Sequence, residues 1–174
     1  PNNWVKESNN LWQEHQEKGE MAKFAKTNVV YGLDVAEGGG DRTALVKITG
    51  RYVQWIEYIT EEDTMKQANW VAMKMSGDKR APIAVDAIGV GLGLAQRLKQ
   101  LGFTVMPIKV SRSTKRKDET GYFGFVNLRS EIWWRVRERL NPEKPDSILI
   151  PKDKRLFSEI TAPRYEIDGN ADIK

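Results

Sequence analysis

The sequence predicts an α/β fold in which an antiparallel meander is continued by parallel strands, with helices on both faces of one mixed sheet. Three observations predict it. An apolar run is followed closely by two further strand-like segments with short turns between them. Apolar residues then recur at helical spacing, and short apolar strands return between the helices. The resulting order, βββ-α-β-α-β-α, is typical of layered packing around one sheet.

The meander comes first. Val29–Val35 is apolar except for one aspartate, which is typical of a buried central strand. A turn with three glycines, Glu37–Asp41, leads to a second strand at Thr43–Ile48. Tyr52–Ile59 alternates with the period of a half-buried strand. The short turns between these segments predict antiparallel neighbours.

Helices and strands alternate in the middle of the chain. A helix is predicted within Thr60–Gly77, because a capping-box-like sequence precedes apolar residues at helical spacing. Ile83–Asp86 is predicted as a short buried strand, and a second helix is predicted within Gly89–Gly102. Phe103–Ile108 is predicted as the last strand of this series.

A third helix is predicted to begin after Asn127, a favourable capping residue. Its buried stripe is predicted to consist of Leu128, Ile132, Val136 and Leu140. Further strands are expected at Ile148–Ile150 and Ile160–Ile167, with a helical stretch at Leu156–Glu159 between them. Residues 168–170 are typical of a hairpin turn that leads to a strand near Asp172.

The expected organisation is an N-terminal linker with one helix at residues 1–27, followed by the α/β domain at residues 28–174. The linker is polar, and its large apolar residues are too sparse to form a domain. No apolar run is long enough for a membrane helix or resembles a signal peptide. We therefore expect a protein that is neither secreted nor inserted in a membrane.

The amino-acid composition limits the kinds of catalytic and metal site that the chain could contain. The 174 residues include no cysteine and one histidine, His15. Thiolate zinc sites, iron–sulfur clusters and cysteine nucleophiles are thereby excluded, and a Ser-His-Asp triad is disfavoured. The remaining possibility for catalysis is carboxylate chemistry with a hard cation such as Mg²⁺ or Mn²⁺.

Two aspartates lie where such chemistry could occur. Asp34 and Asp86 come near the carboxyl ends of the first and fourth predicted strands. A carboxylate in an apolar strand is costly unless a cation pairs with it, and neighbouring strands would bring the two within about 5 Å of each other. The alternative is that each aspartate ends its strand or caps a turn. Asp41 could equally be a turn residue or a further metal contact.

A basic run follows the fifth strand. It carries five cations and no acid: Lys109, Arg112, Lys115, Arg116 and Lys117. Its charge of +5 exceeds the +4 of the whole chain, so the remainder is −1. The run is either a solvated loop or a surface that faces phosphates. The glycines at 89, 91 and 93 do not match a dinucleotide-binding fingerprint, and the sequence contains no P-loop.

Three segments together resemble the nuclease domain of the large terminase subunit of tailed bacteriophages. They are YGLDVAEGGGDRT at residues 31–43, AVDAIGVG at 84–91 and NLRSE at 127–131. The resemblance implies a ribonuclease H-like fold and an endonuclease that cuts concatemeric viral DNA during genome packaging. It further implies hydrolysis of phosphodiester bonds with one or two Mg²⁺ or Mn²⁺ ions.

The resemblance also implies roles for particular residues. Asp34 and Asp86 match the first two metal-binding acids, and Asp41 matches an acid near the metals in some relatives. A third acid is expected beyond Lys174, with Asp168 as a weaker candidate within the chain. The residues expected to bind the DNA backbone are Lys109, Arg112, Lys115, Arg116, Lys117 and Arg129.

The partners that the resemblance implies are double-stranded DNA, an ATPase motor domain that this chain lacks, a small terminase subunit and a portal. The chain would then be an excised domain that acts in the host cytoplasm. Two other functions stay open. One is a non-catalytic DNA-binding clamp of the same fold. The other, an actin-like or sugar-kinase-like nucleotide binder, is disfavoured because that class needs a second glycine-rich hairpin.

Overall fold

A computed structural model describes residues 2–23, 28–37 and 39–174. Gly38 of the predicted turn and residues 24–27 of the predicted linker lie outside the described residues. The helices are α1 (Asn2–Glu17), α2 (Thr64–Lys74), α3 (Val90–Gln100), α4 (Leu128–Arg139) and α5 (Lys154–Thr161), with a short 3-10 helix at Glu20–Lys23. The strands are β1 (Val29–Asp34), β2 (Thr43–Thr49), β3 (Tyr52–Ile59), β4 (Pro82–Asp86), β5 (Thr104–Ile108), β6 (Gly124–Phe125) and β7 (Asp172–Ile173).

The chain divides into two compact units. The sheet unit is Met21–Lys109, and the helical unit combines Pro1–Glu20 with Val110–Lys174. The first helix therefore folds with the C-terminal third of the chain. The expected roles of residues 1–27 as a linker and of residues 28–174 as one domain stay predictions.

The sheet unit contains a five-stranded mixed sheet with the strand order β3-β2-β1-β4-β5. The pairs β1–β2 and β2–β3 are antiparallel, whereas β1–β4 and β4–β5 are parallel. A meander continued by parallel strands is the predicted fold class, which is confirmed.

One face of this sheet forms the apolar core of the unit. Because side chains alternate along a strand, Tyr31 and Leu33 of β1 share a face with Ile83 and Val85 of β4. All four are buried in one cluster with residues of α2 and α3. Helix α2 begins where Asp63 accepts hydrogen bonds from the backbone N–H groups of the first turn, at 2.7 and 3.3 Å.

The helical unit relies on polar contacts as well as on apolar packing. The Ser8 hydroxyl donates to the Ile148 carbonyl at 2.8 Å and accepts from the Ile150 N–H at 3.1 Å. The Asn9 amide donates to the carbonyls of Ile150 and Pro151, at 3.0 and 3.1 Å. These bonds fasten α1 to the segment that follows α4.

The predicted buried stripe of α4 is confirmed at its two ends and is wrong in its middle. Leu128 and Leu140 are buried, but Ile132 is exposed and Val136 only half-buried. The helix instead buries two carboxylates, Glu131 and Glu138. It is turned in this way because both acids accept hydrogen bonds from the segment between β5 and β6, called the basic loop below. Glu138 also accepts from Trp134 and Arg135 of α4.

The predictions for the C-terminal region are confirmed in part. Ile160 belongs to α5 and not to a strand, because the helix runs from Lys154 to Thr161. Ile167 forms an isolated antiparallel bridge with Ile173 across the predicted hairpin turn. Strand β7 pairs in parallel with β6, a two-residue strand that the sequence did not predict. Among the described helices, none has the length and apolar character needed to cross a membrane.

Candidate functional site

The two predicted metal-binding aspartates end neighbouring strands. In the parallel pairing of β1 with β4, Leu33 lies opposite Val85, and Asp34 and Asp86 are the next residues on each strand. The spacing between hydrogen-bonded strands places the two backbones about 4.8 Å apart. The first and fourth strands are therefore neighbours, which is the condition under which the two aspartates were expected to lie close together.

Strand alternation also sets the face on which these acids lie. Leu33 and Val85 point into the apolar cluster with α2 and α3, so Asp34 and Asp86 occupy the opposite face. Asp34 is exposed and Asp86 is half-buried.

Asp86 carries an unsatisfied polar atom. Its Oδ1 is buried, and no described residue forms a hydrogen bond with it. Leaving a carboxylate oxygen without a partner costs free energy that a hydrogen bond or a cation would offset. A hard cation that retains most of its water suits such a site, since it needs only one or two protein carboxylates. The acid pair therefore fits Mg²⁺ or Mn²⁺.

Gly91 fixes the distance between α3 and the end of β4. A Cβ atom on Gly91 would collide with the backbone carbonyl oxygen of Asp86. The start of α3 therefore lies directly against the residue that carries the candidate ligand. Because only glycine permits this approach, Gly91 serves helix–strand packing.

Glu37 is a carboxylate that the sequence analysis did not single out. Its side chain lies against the Cα of Gly89, where a Cβ atom would collide with Oε1. Gly89 has a φ of 57°, in the left-handed region that favours glycine. The loop after β1 thus meets the loop after β4 at the edge of the sheet where both aspartates lie. In the sequence, the position of Glu37 in the glycine-rich turn was the one signal that could have identified it.

Asp41 lies exposed in the loop between β1 and β2. The loop is closed by a hydrogen bond from the Ala36 N–H to the Thr43 hydroxyl, at 3.0 Å. Within residues 2–23, 28–37 and 39–174, no three His, Cys, Asp or Glu side chains form a group that could hold a metal ion. The structure therefore brings together the backbones of Asp34 and Asp86 but does not complete a three-acid site with Asp41.

The side chain of Asp168 stabilises the turn in which it lies. Its carboxylate accepts hydrogen bonds from the backbone N–H groups of Asn170 and Asp172, at 2.8 and 3.0 Å. The N–H groups of Asp172 and then Asn170 hold the pKa of Asp168 below its usual range. The predicted hairpin is present, and it gives this aspartate a structural role.

All five cations of the basic run are exposed. Lys109 is the last residue of the sheet unit, and the other four belong to the helical unit. Arg129, the sixth predicted DNA-binding residue, is exposed on the first turn of α4. The structure thus leaves every predicted phosphate contact accessible to solvent.

The loop that carries four of these cations is held by buried acids. Thr114 donates to Glu131 at 2.6 Å, and the Arg116 guanidinium lies 3.3 Å from the same carboxylate. Arg135 donates both to the Lys117 carbonyl at 2.7 Å and to Glu138 at 2.8 Å. The loop therefore has fixed contacts on its inner side, one of them made by Arg116, while its four cations remain exposed to solvent.

Asp118 completes the anchoring of this loop. Its carboxylate accepts hydrogen bonds from the Thr120 hydroxyl and from the N–H groups of Tyr122 and Phe123. Burial acts to raise the pKa of Asp118, but these hydrogen bonds outweigh it, and the pKa lies below its usual range. The carboxylate stays charged within a turn of the basic loop.

Known proteins resemble this chain in structure and not detectably in sequence. No protein-family model matches it, and no curated protein matches it at a significant level. Solved structures do. The nuclease domain of the large terminase subunit of bacterial virus Sf6 superposes with a TM-score of 0.75 at 20% identity, over 100% of this chain and 85% of that chain. The fold is that of these terminase nuclease domains.

Two further structures of such domains contain metal. A mutant of the Sf6 nuclease domain with manganese and β-thujaplicinol has a TM-score of 0.77 at 21% identity, over 100% of this chain and 85% of that chain. The large terminase nuclease of thermophilic phage G20c with bound magnesium has a TM-score of 0.62 at 14% identity, over 86% of this chain and 71% of that chain. At these identities the likeness establishes the ribonuclease H-like fold.

Proposed function

We propose that this chain is a metal-dependent DNA endonuclease domain that cuts concatemeric viral DNA during genome packaging in the host cytoplasm. The observation that carries the proposal is the acid pair at the carboxyl ends of β1 and β4, with a buried and unpartnered oxygen on Asp86. The fold shared with terminase nuclease domains supports it.

Asp34 and Asp86 would hold one or two Mg²⁺ or Mn²⁺ ions, with Asp41 as a candidate for a further contact. When bound, such an ion lowers the pKa of a water molecule and stabilises negative charge that develops on a phosphate. The contribution of the chain is to fix the two carboxylates through the parallel pairing of two central strands. A rigid sheet is a more accurate support for ligands than a loop.

The basic residues would bind the DNA backbone without reading sequence. The proposed contacts are Lys109, Arg112, Lys115, Arg116, Lys117 and Arg129. Because Glu131 and Asp118 hold the backbone of the basic loop in place, less backbone entropy would be lost on binding. The proposed partners are double-stranded DNA, an ATPase motor domain, a small terminase subunit and a portal.

A DNA-binding clamp without catalysis is the second candidate. One observation favours it: in the described part of the chain, no third acid joins Asp34 and Asp86 in a metal-binding group. Two ions close together repel each other strongly unless several carboxylates surround them. On this ground we expect at most one tightly bound ion and weak cleavage.

Plasmid cleavage with the 174-residue chain and Mn²⁺ tests the proposal. Asp34→Asn and Asp86→Asn keep the shape of each side chain and remove its charge, so we expect both to abolish nicking. Asp146→Asn is the matched control, because Asp146 is an exposed aspartate of the helical unit. Calorimetric titration with Mn²⁺ should show loss of binding in the first two variants only.

The outcomes separate the two candidates. Cleavage that depends on Asp34 and Asp86 supports the nuclease. DNA binding without cleavage and without Mn²⁺ binding supports the clamp. Cleavage that survives both substitutions contradicts the assignment of the acid pair.

A further inference from the structure

A groove in the helical unit combines aromatic rings with cations. Its volume is about 1010 Å³, and it lies between the start of α1, the length of α4, the end of α5 and the last two residues of the chain. All of these segments belong to the same compact unit. The groove contains neither Asp34 nor Asp86 and lies outside the five-stranded sheet.

The charged side chains that line the groove are all positive. Four cations line it, namely Arg129, Arg137, Arg164 and Lys174, and none of its described lining residues is acidic. Lys174 is paired with Glu166 at 3.1 Å. Within the described residues, no ion pair joins the three arginines to a carboxylate. The groove is therefore suited to an anionic ligand.

Some aromatic side chains of the groove pack against one another, and two of them are also exposed to solvent. Arg137 lies 4.5 Å from the ring centre of Trp134, and Tyr165 meets Trp134 edge to face at 5.0 Å. These contacts fix Trp134 as a support. Trp133 is 41% exposed. Tyr165 is 52% exposed although the Arg137 guanidinium lies 5.9 Å from its ring centre, so both side chains remain accessible to a ligand.

Helix α4 sets the order of charge and ring along the groove. Arg129, Trp133 and Arg137 are four residues apart, a spacing that places them on one face of the helix. A cation, an exposed ring and a second cation therefore follow one another along the groove. This alternation matches a polymer in which flat apolar groups alternate with negative charges.

We propose that the groove binds single-stranded nucleic acid, with bases stacked on Trp133 and Tyr165 and phosphates facing Arg129 and Arg164. Exposed rings beside a cationic groove are the features that bind unpaired strands. Duplex DNA keeps its base faces inside its own stack and cannot offer them to the rings. An acidic peptide would use the arginines but has no need of open ring faces. The proposal does not depend on the acid pair.

Fluorescence anisotropy with a labelled dT12 oligonucleotide and a 12-base-pair duplex tests this proposal. The full chain is used in EDTA, so that metal-dependent cleavage cannot interfere. Stacking contributes about 1–3 kcal/mol per base, which corresponds to about a 5- to 150-fold change in affinity. We expect Trp133→Ala and Tyr165→Ala each to weaken dT12 binding by at least fivefold and to leave duplex binding within twofold.

Two controls separate stacking from structural damage. Tyr122→Ala removes a ring that is 66% exposed in the same unit but outside the groove, and it should leave dT12 binding unchanged. Trp133→Phe keeps an aromatic face and should retain most of the affinity that Trp133→Ala loses. Circular dichroism checks that each variant keeps its helices.

Three results would overturn the proposal. One is unchanged dT12 affinity in both alanine variants, and a second is an equal loss for the duplex. The third is a poly-glutamate peptide that binds as tightly as dT12 and loses affinity in the same variants, which would assign the groove to an acidic protein segment. Mn²⁺-dependent cleavage and its dependence on Asp34 are measured separately, so failure here leaves the proposed nuclease standing.

Discussion

The two compact units differ in the polar side chains that they bury: among the described residues, every buried charged side chain lies in the helical unit. In the sheet unit, most of the buried residues form a continuous apolar cluster between one face of the sheet and two helices, and the buried polar side chains are uncharged. In the helical unit, buried polar and charged side chains hold the segments together, among them Ser8, Asn9, Asp118, Glu131 and Glu138. Apolar burial is non-directional and scales with area, whereas each buried polar group needs a particular partner. Substitutions should therefore act by different mechanisms in the two units.

The largest effect is expected in the apolar cluster. Leu98 of α3 is fully buried, and Leu98→Ala removes its packing and leaves a cavity, at a cost of about 3 kcal/mol in the free energy of unfolding. Leu92→Ala is the control on the same helix, because Leu92 is half exposed. Urea unfolding of both variants measures the difference. Equal losses would contradict the position of the core.

A smaller but more local effect is expected at Glu131. Glu131→Ala leaves the Thr114 hydroxyl and the Arg116 guanidinium without their shared partner, at a cost of about 2 kcal/mol. Because these contacts hold the basic loop, trypsin should cut this variant faster at the exposed Lys and Arg residues of the loop. The control is Glu143→Ala, which removes an exposed acid. Unchanged cleavage within the loop would contradict the anchoring role.

The docking of α1 offers a neighbouring pair of asparagines for comparison. Asn9 is buried and donates to two carbonyls, whereas Asn10 is exposed. Asn9→Ala should lower the free energy of unfolding by about 1 kcal/mol, and Asn10→Ala should change it by less than about 0.5 kcal/mol. Thermal unfolding followed by circular dichroism measures both. A larger effect of Asn10→Ala would show that α1 docks by another face.

The smallest effect is a pH dependence in the sheet unit. Lys47 and then Tyr31 donate to Asp78, each at 2.7 Å, and hold the pKa of Asp78 below its usual range. A carboxyl group whose pKa is lowered in the folded state stabilises the fold above its unfolded pKa of about 3.9. That contribution is lost as the pH falls through the lower, folded value.

Asp78→Asn should therefore remove part of the acid sensitivity. Because the pair is partly exposed to solvent, we expect a difference of about 1 kcal/mol or less. Urea unfolding between pH 6 and pH 2.5 compares the variant with the unaltered chain. Parallel pH profiles would contradict a stabilising ion pair at Asp78.

The difference between the units also explains what the sequence could predict. β1 was predictable because it is an almost unbroken apolar run, and β3 because it alternates with strand periodicity. The positions of Asp34 and Asp86 followed from the predicted strands that each of them ends. The orientation of α4 was not predictable from apolar spacing, since it is determined by Glu131 and Glu138 binding a loop. The two-residue strand β6 is too short to leave a pattern.

The groove of the helical unit could not be predicted from the sequence either. Trp4, Trp133 and Tyr165 come from separate segments, and only the fold brings them to one groove. The i, i+4 spacing of Arg129, Trp133 and Arg137 was present in the sequence. By itself that spacing predicts a shared helix face and says nothing of what lies opposite.

The core residues and the two aspartates lie on opposite faces of the sheet, and this arrangement affects how the sequences of such domains can diverge. Leu33 and Val85 face the helices, while Asp34 and Asp86, one residue further on, face the other way. Apolar residues on the helix side can therefore be exchanged for others of similar volume without moving the carboxylates on the far side. The sequence of the interior could therefore change while the proposed metal-binding carboxylates keep their positions. The fold itself is shared with the Sf6 nuclease domain over the whole of this chain at 20–21% identity.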